Sequence, residues 1–210
     1  MTDPASTLTR RRENTRQRLL DAAAQVFAEV GLDAASVEAV CEAAGYTRGA
    51  FYSNFESKEQ LFLDLCARMG AQQIAAVRAK VAELETEGFS GGPGDALALV
   101  QRVLEASGAD RAAVLLMGEI RVRALRDASV TEAYLAQGTE MRAEVAQIIV
   151  DLARTKKLAL RVAPEQAGQL FMTAWAAAAE DAVMGGGDQD AIKTRIGEAL
   201  AVVAELVIER

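Results

Sequence analysis

The stretch SVEAVCEAAGYTRGAFYSNF, residues 36–55, decides how this chain is read. Ser36 is a favourable N-cap, and Val37, Val40, Cys41 and Ala44 follow at helical spacing. Gly45 ends that helix. Thr47 caps a second, short helix over about Arg48 to Asn54, with Phe51 and Phe55 as its buried pair. Helix, Gly-bearing turn and short second helix make a helix-turn-helix. Such a unit lays its second helix in a major groove about 12 Å wide, with N-terminal residues at base edges and flanks on phosphates. Arg48 opens that helix and can offer a forked pair of donors to guanine O6 and N7. Gly49 and Ala50 leave its backbone nearly bare. Thr47 and Tyr52 carry hydroxyls suited to phosphate oxygens, Ser53 and Asn54 add polar reach, and Ser36 stands at the entry to the unit. Lys58 falls in the first turn of the next helix, where free N–H groups also favour an anion. Tyr46, in the turn, reads equally as a core wedge or a backbone contact.

Outward from this unit every segment is helical. Leu19, Ala23, Val26, Phe27 and Val30 form one stripe of a first helix from about Glu13, with Gly31 just past its end. Ser57 and Gln60 form a capping-box pattern opening a long helix to about Leu84. The Gly- and Pro-rich segment 87–94 breaks the chain. Helices are then expected over about Asp95–Ala106, Asp110–Arg126, Ser129–Lys156 (Ser129 and Glu132 as a capping box), Pro164 to the glycines 185–187, and Asp190 to the end. That gives nine helices and no strand: an all-α chain of two domains, with a flexible basic arm at 1–12, a DNA-binding domain at 13–60 and a C-terminal domain at 61–210.

Composition supports this. Of 210 residues 43 are Ala and 3 are Pro, and Ala is the best helix former. With no His in the chain, Ser-His-Asp triads, His general bases and His-ligated metals are excluded, and the missing Glu-x-x-His motif excludes a dinuclear carboxylate bundle. No enzyme and no cofactor are expected. The longest charge-free run, Gln166–Ala179, is 14 residues, short of a membrane span. No secretory signal is visible, and Cys41 and Cys66 lack metal or redox spacing, so the expected location is cytoplasmic. The net charge of −7 speaks against a wholly basic coat, but its distribution is uneven. Arg10, Arg11, Arg12, Arg16 and Arg18 give residues 1–18 a balance of +3, whereas residues 19–46 carry only acids. Arg11 and its neighbours are candidates for a phosphate or minor-groove arm.

Residues 45–61, Gly45-Tyr46-Thr47-Arg48-Gly49-Ala50-Phe51-Tyr52-Ser53-Asn54-Phe55-Glu56-Ser57-Lys58-Glu59-Gln60-Leu61, resemble the signature of the tetracycline-repressor-like (TetR/AcrR) transcriptional regulators, roughly G-x-[ST]-x-G-x-[LF]-Y-x-[HN]-F-x-[ST]-K-x-x-L. Leu20-Asp21-Ala22-Ala23, Phe27 and Gly31 resemble the family's first helix. Asn54 replaces the usual His, and Cys41 the usual Ala. The motif resemblance covers about residues 14–65; beyond them it rests on helix number and order. It implies a sequence-specific DNA-binding regulator, most simply a ligand-released repressor. Such a protein binds a palindromic operator in double-stranded DNA as a homodimer through its last two helices, with a small-molecule effector in the C-terminal domain.

The last two helices are apolar over most of their circumference. Leu170, Ala174, Ala178, Ile192, Ile196, Leu200, Val203 and Val207 read either as a dimer interface or as an intramolecular core. Candidate pocket residues are Met69, Gln72, Leu99, Val103, Met117, Ile120, Arg121, Tyr134, Met141, Phe171 and Trp175, each of which also fits a core. The competing function is a helical small-molecule-binding or adaptor protein that does not bind an operator.

Overall fold

The structure is a computed structural model that describes residues 4–85, 102–103 and 110–209. Among them lie eight helices: α1 (Pro4–Ala34), α2 (Val37–Ala44), α3 (Arg48–Tyr52), α4 (Lys58–Glu85), α5 (Arg111–Ala124), α6 (Ala128–Lys156), α7 (Pro164–Met184) and α8 (Gln189–Val207). The described residues form no strand; one isolated bridge pairs Leu160 with Ile208. The break expected at 87–94 and Leu99 fall outside the described residues, as does the helix expected over Asp95–Ala106, apart from a helical Arg102–Val103. None of the described helices is long and apolar enough to cross a membrane.

Two compact units emerge, Met1–Arg68 with Leu115–Tyr134, and Met69–Val114 with Leu135–Arg210. The division expected between residues 60 and 61 therefore moves along α4, and the first unit takes in most of α5 and the start of α6. A second difference lies at the N-terminus. The helix expected from Glu13 starts at Pro4, so most of the segment read as a flexible arm is helical. Pro at the first helical position gives up no hydrogen bond, and nothing between it and Glu13 breaks a helix.

In the first unit, α1 buries Leu19, Leu20, Ala23 and Phe27, and α4 answers with Leu61, Phe62 and Leu65. Phe27 meets Phe62 edge-on at 5.1 Å between ring centroids. Helix α1 is interrupted at Gly31, the expected end residue, whose φ of 78° and ψ of 168° are foreign to a helix. A single turn, closed by a bond from Ala35 N to the Gly31 carbonyl at 3.2 Å, then leads to α2. Glu119 on α5 grips this turn: its Oε2 accepts from Leu32 N at 2.6 Å. In the second unit, Ala178, Ala179 and Val183 of α7 pack with Ile192, Ile196 and Leu200 of α8 and with Val114. Ala167, Val203 and Val207 extend that packing.

Caps differ in one place from the sequence reading. Helix α6 is capped by Asp127, whose Oδ1 accepts from Ser129 N at 3.1 Å and from Ser129 Oγ at 2.7 Å. Ser129 thus donates to the cap instead of being one. These bonds, the hydroxyl's first, hold the Asp127 carboxyl below its ordinary range. Both cysteines are buried and free, and burial pushes the Cys66 thiol up to about 12.

Gly31→Ala forces a side chain into the left-handed region and sets its Cβ 2.9 Å from Glu119 Oε1. A Cβ at Gly45, with φ 72°, meets nothing within 4 Å. Urea denaturation should show Gly45→Ala destabilising by ~1–2 kcal/mol from backbone conformation alone, and Gly31→Ala by more, because the Glu119 grip is displaced as well.

Candidate nucleic-acid interface

The helix-turn-helix forms as the sequence indicates. Ser36 Oγ accepts from Ala39 N at 3.1 Å and caps α2. Gly45, in the left-handed region, closes α2, and Tyr46 N reaches back to the Cys41 carbonyl at 2.9 Å. Thr47 Oγ1 accepts from Ala50 N at 3.3 Å and caps α3. Helix α3 has 5 residues, too few to be stable alone. Its inner side holds it: Phe51 and Phe55 are essentially fully buried, with ring centroids 5.7 Å apart. The Arg16 guanidinium covers the Phe55 ring at 5.0 Å.

The opposite side of α3 is open. Thr47, Arg48, Gly49, Tyr52 and Ser53 are exposed, and Ala50 is half-buried. Tyr52 shows 51% of its surface although it is a large aromatic residue whose ring meets Phe51 edge-on at 5.2 Å. Around Gly49 an added Cβ would touch only Thr47 Oγ1, at 3.7 Å, so internal packing does not demand glycine there. Arg48 Nη1 pairs with Glu38 Oε1 of α2 at 2.7 Å, and its guanidinium lies 5.9 Å from the centre of the Tyr52 ring. Hydrogen bonding to Tyr52 and the charge of Glu38, in that order, favour the charged form of Arg48.

Several side chains expected to face outward are occupied within the domain. Ser53 Oγ and Asn54 Nδ2 both donate to the Ala50 carbonyl at 2.8 Å, closing the end of α3. Lys58, expected on a phosphate, departs furthest. Its ammonium donates to the carbonyls of Leu32 at 2.7 Å and Ala35 at 2.9 Å and lies 3.5 Å from that of Asp33. The turn between α1 and α2 presents outward-tilted carbonyls with no helical partner, and a lysine in the first turn of α4 reaches them. Lys58 is therefore a clamp on that turn. Tyr46 is settled as well: its ring lies under Arg18 at 5.4 Å, and its phenol, bonded to the Thr15 hydroxyl and beside Arg18, is drawn below its ordinary range. It packs back on α1. Arg11 is exposed on α1, whereas Arg12 Nη2 donates to the Ser53 carbonyl at 3.0 Å. The hydrogen bonds of Arg12 and Lys58 escaped the sequence reading because each joins residues more than twenty positions apart.

The expected pocket residues divide between the two units. Met117, Ile120, Arg121 and Tyr134 belong to the first unit, and Ile120 is part of its core. Met69, Gln72, Val103, Met141, Phe171 and Trp175 belong to the second, where Gln72 is exposed, Met141 lies against Gly70, and Phe171 and Trp175 pack on the α7–α8 core. Trp175 Nε1 is buried without an acceptor among the described residues. An open cavity of about 240 Å³ in the second unit is lined by Arg78, Val81, Ala82, Ile148, Asp151 and Arg154, none of them expected. Of the residues expected at a dimer interface, Ala178, Ile192, Ile196 and Leu200 are buried in a core with Val114, and Val203 and Val207 in one with Ala167; Ala174 is half-buried against both. Leu170 alone of the expected interface residues is exposed, and the sequence reading passed over its exposed companions Val202 and Leu206.

A capped two-helix unit with an exposed, nearly bare second helix defines a helix-turn-helix domain. Over residues 19–65 the chain matches the family model described as bacterial regulatory proteins, tetR family. It is 33% identical over 92 residues to the HTH-type transcriptional regulator AcrR of Shigella flexneri, covering 44% of this chain and 39% of that one. It is 45% identical over 64 residues to the HTH-type transcriptional repressor AcnR of Corynebacterium glutamicum, covering 30% and 34%. The match thus spans between a third and two fifths of these relatives. Similarity of fold extends further: the Bacillus subtilis transcriptional regulator FadR, solved with stearoyl-CoA, superposes with a TM-score of 0.69 at 15% identity, covering 90% of this chain and 98% of that one.

Lys58→Met should lower the melting temperature, because the carbonyls of Leu32 and Ala35 lose their donor at a cost of ~1–3 kcal/mol. A lysine that served only a phosphate would leave the melting temperature of the free protein unmoved.

Proposed function

We propose that this chain is a sequence-specific DNA-binding transcriptional repressor that acts as a homodimer on a palindromic operator and is released by a small-molecule effector. The observation that carries the reading is the two-sidedness of α3: Phe51 is wholly buried on one side, while Thr47, Arg48, Gly49 and Tyr52 lie exposed on the other. A bare, hydroxyl-flanked rod with one leading guanidinium suits the major groove, with Arg48 at a guanine edge and Thr47 and Tyr52 on phosphates. Ser36, Ala50, Ser53 and the exposed Arg11 complete the proposed contact surface; Asn54 and Lys58 support it from within.

The proposed dimer face is the outer side of α7 and α8. Leu170 at 45%, Val202 at 59% and Leu206 at 63% exposure are large apolar residues left open among the described residues. Two such faces would bring four helices together in a dimer, whose two copies of α3 would enter successive major grooves about 34–36 Å apart or a multiple of that. For the effector, the buried, unpartnered Trp175 Nε1 supports a ligand with a hydrogen-bond acceptor held in the second unit. The chain's role is regulatory, not enzymatic, and fits a cytoplasmic location.

Selection from a random duplex pool tests the reading: it should enrich an inverted repeat. Enrichment of no sequence would favour the adaptor function instead. Arg48→Ala should lose ~1–3 kcal/mol per half-site and relax preference at one base pair; an equal loss on all sequences would count against base reading.

Leu206→Glu, which changes an exposed side chain, should shift the protein to monomer in sedimentation velocity while leaving its helical content intact. A monomeric wild type would remove the proposed interface.

A further inference from the structure

We propose that Glu38 is a specificity-determining residue, which holds the Arg48 guanidinium toward the base edges and keeps it off the phosphate backbone. The inference rests on the reading of α3 as the DNA-contacting helix. The turn at Gly45 brings together the start of α2 and the start of α3, and these two residues meet there at 2.7 Å. Both side chains remain more than half exposed, so the pair does not contribute to the core. An exposed ion pair adds little stability, which leaves its effect on the reach of Arg48 as its main consequence.

That effect has three parts. First, the guanidinium sits at the N-terminal end of α3, where free N–H groups carry partial positive charge, and the Glu38 carboxylate offsets this. Second, the Glu38 carboxylate at 2.7 Å and the Tyr52 ring, whose centre lies 5.9 Å from the guanidinium carbon, restrict how the fork can turn. One N–H bonds to Glu38 and another to Tyr52, which leaves three of the five donors for the two acceptors of a guanine edge. An arginine fixed in this way loses less side-chain entropy when it binds the base. Third, the carboxylate repels phosphate. A free arginine at this position gains on any duplex by reaching a backbone oxygen, whereas the paired one gains little except where a guanine replaces part of what Glu38 supplies. Arg10 and Arg11 have no carboxylate partner of this kind among the described residues. Cys41 on α2 is buried, and burial first, then the charge of Glu38, raise its thiol above the ordinary range.

The test uses the full chain as wild type, E38A, E38Q, R48A and E38A/R48A. Each protein is put through selection from a random duplex pool, and its affinity for one unselected duplex is measured across salt concentrations. Wild type should enrich a defined sequence, and E38A should blur the same base pair that R48A blurs. E38A should also bind the unselected duplex roughly two- to fivefold more tightly, the range that an exposed ion pair spans, with a log–log salt slope steeper by about 0.9 for one added phosphate contact. In the R48A background the E38A gain should disappear. A gain of equal size in both backgrounds would show plain charge repulsion and overturn the proposal, as would an unchanged base preference in E38A. E38Q keeps the side chain's length and helical position without its charge, and carries the same test should E38A melt early. Failure of the wild type to enrich any sequence overturns the DNA-reading function itself; enrichment by the wild type with unaltered preference in E38A and E38Q overturns only the role of Glu38.

Discussion

The burial of Phe51 and Phe55 is the interaction on which the rest depends. Helix α3 is too short to persist on its own propensity. Two aromatic side chains at four-residue spacing fix its axis against the first unit, and each full burial is worth ~1.5–3 kcal/mol. Because both anchors lie on one side, the other side is free to be small and polar. Gly49 weakens the helix intrinsically, and the Thr47 cap together with the Ser53 and Asn54 bonds to Ala50 offset that weakness at its two ends. The interface is thus exposed without being loose.

A second layer of constraint lies one turn upstream. The segment Gly31–Ala35 must turn sharply for α2 to cross α1, and such a turn leaves backbone groups unpaired. Glu119 takes the Leu32 N–H, and Lys58 takes carbonyls of the same segment. Two charged side chains of opposite sign, from α5 and α4, therefore hold one turn through its donors and its acceptors. Each is charge-assisted and so stronger than a neutral bond.

What could be read from the sequence follows from the range of the interactions involved. Caps, turns and helical stripes act over a few residues, so α2, α3 and the start of α4 stand where Ser36, Gly45, Thr47 and Ser57 put them. The open side of α3 could also be read, because Phe51 and Phe55 leave only one orientation. Burial partners could not. Periodicity found the stripe Ile192–Ile196–Leu200–Val203–Val207 but could not tell whether α7 or a second chain covers it; small residues on α7 bring the two helices close enough to seal it internally. Lys58 shows the same limit in polar form. Its place in a first turn suggested an anion, yet its length lets it reach carbonyls presented by a segment more than twenty residues away. Ser129 lost the cap to Asp127 because a carboxylate two residues earlier accepts more strongly than a hydroxyl.

The net charge of −7 is compatible with binding a polyanion because of where the cations point. Arg12, Arg16, Arg18, Lys58 and Arg68 are tied to carbonyls, carboxylates or rings within the first unit. They stabilise the domain more than they attract DNA. Charges farther than ~8 Å from a phosphate are largely screened at physiological salt, so the acidic residues elsewhere oppose an approaching duplex only weakly. Under the proposed function, weak attraction away from the site is an advantage, because discrimination is the difference between specific and non-specific binding and not the strength of either.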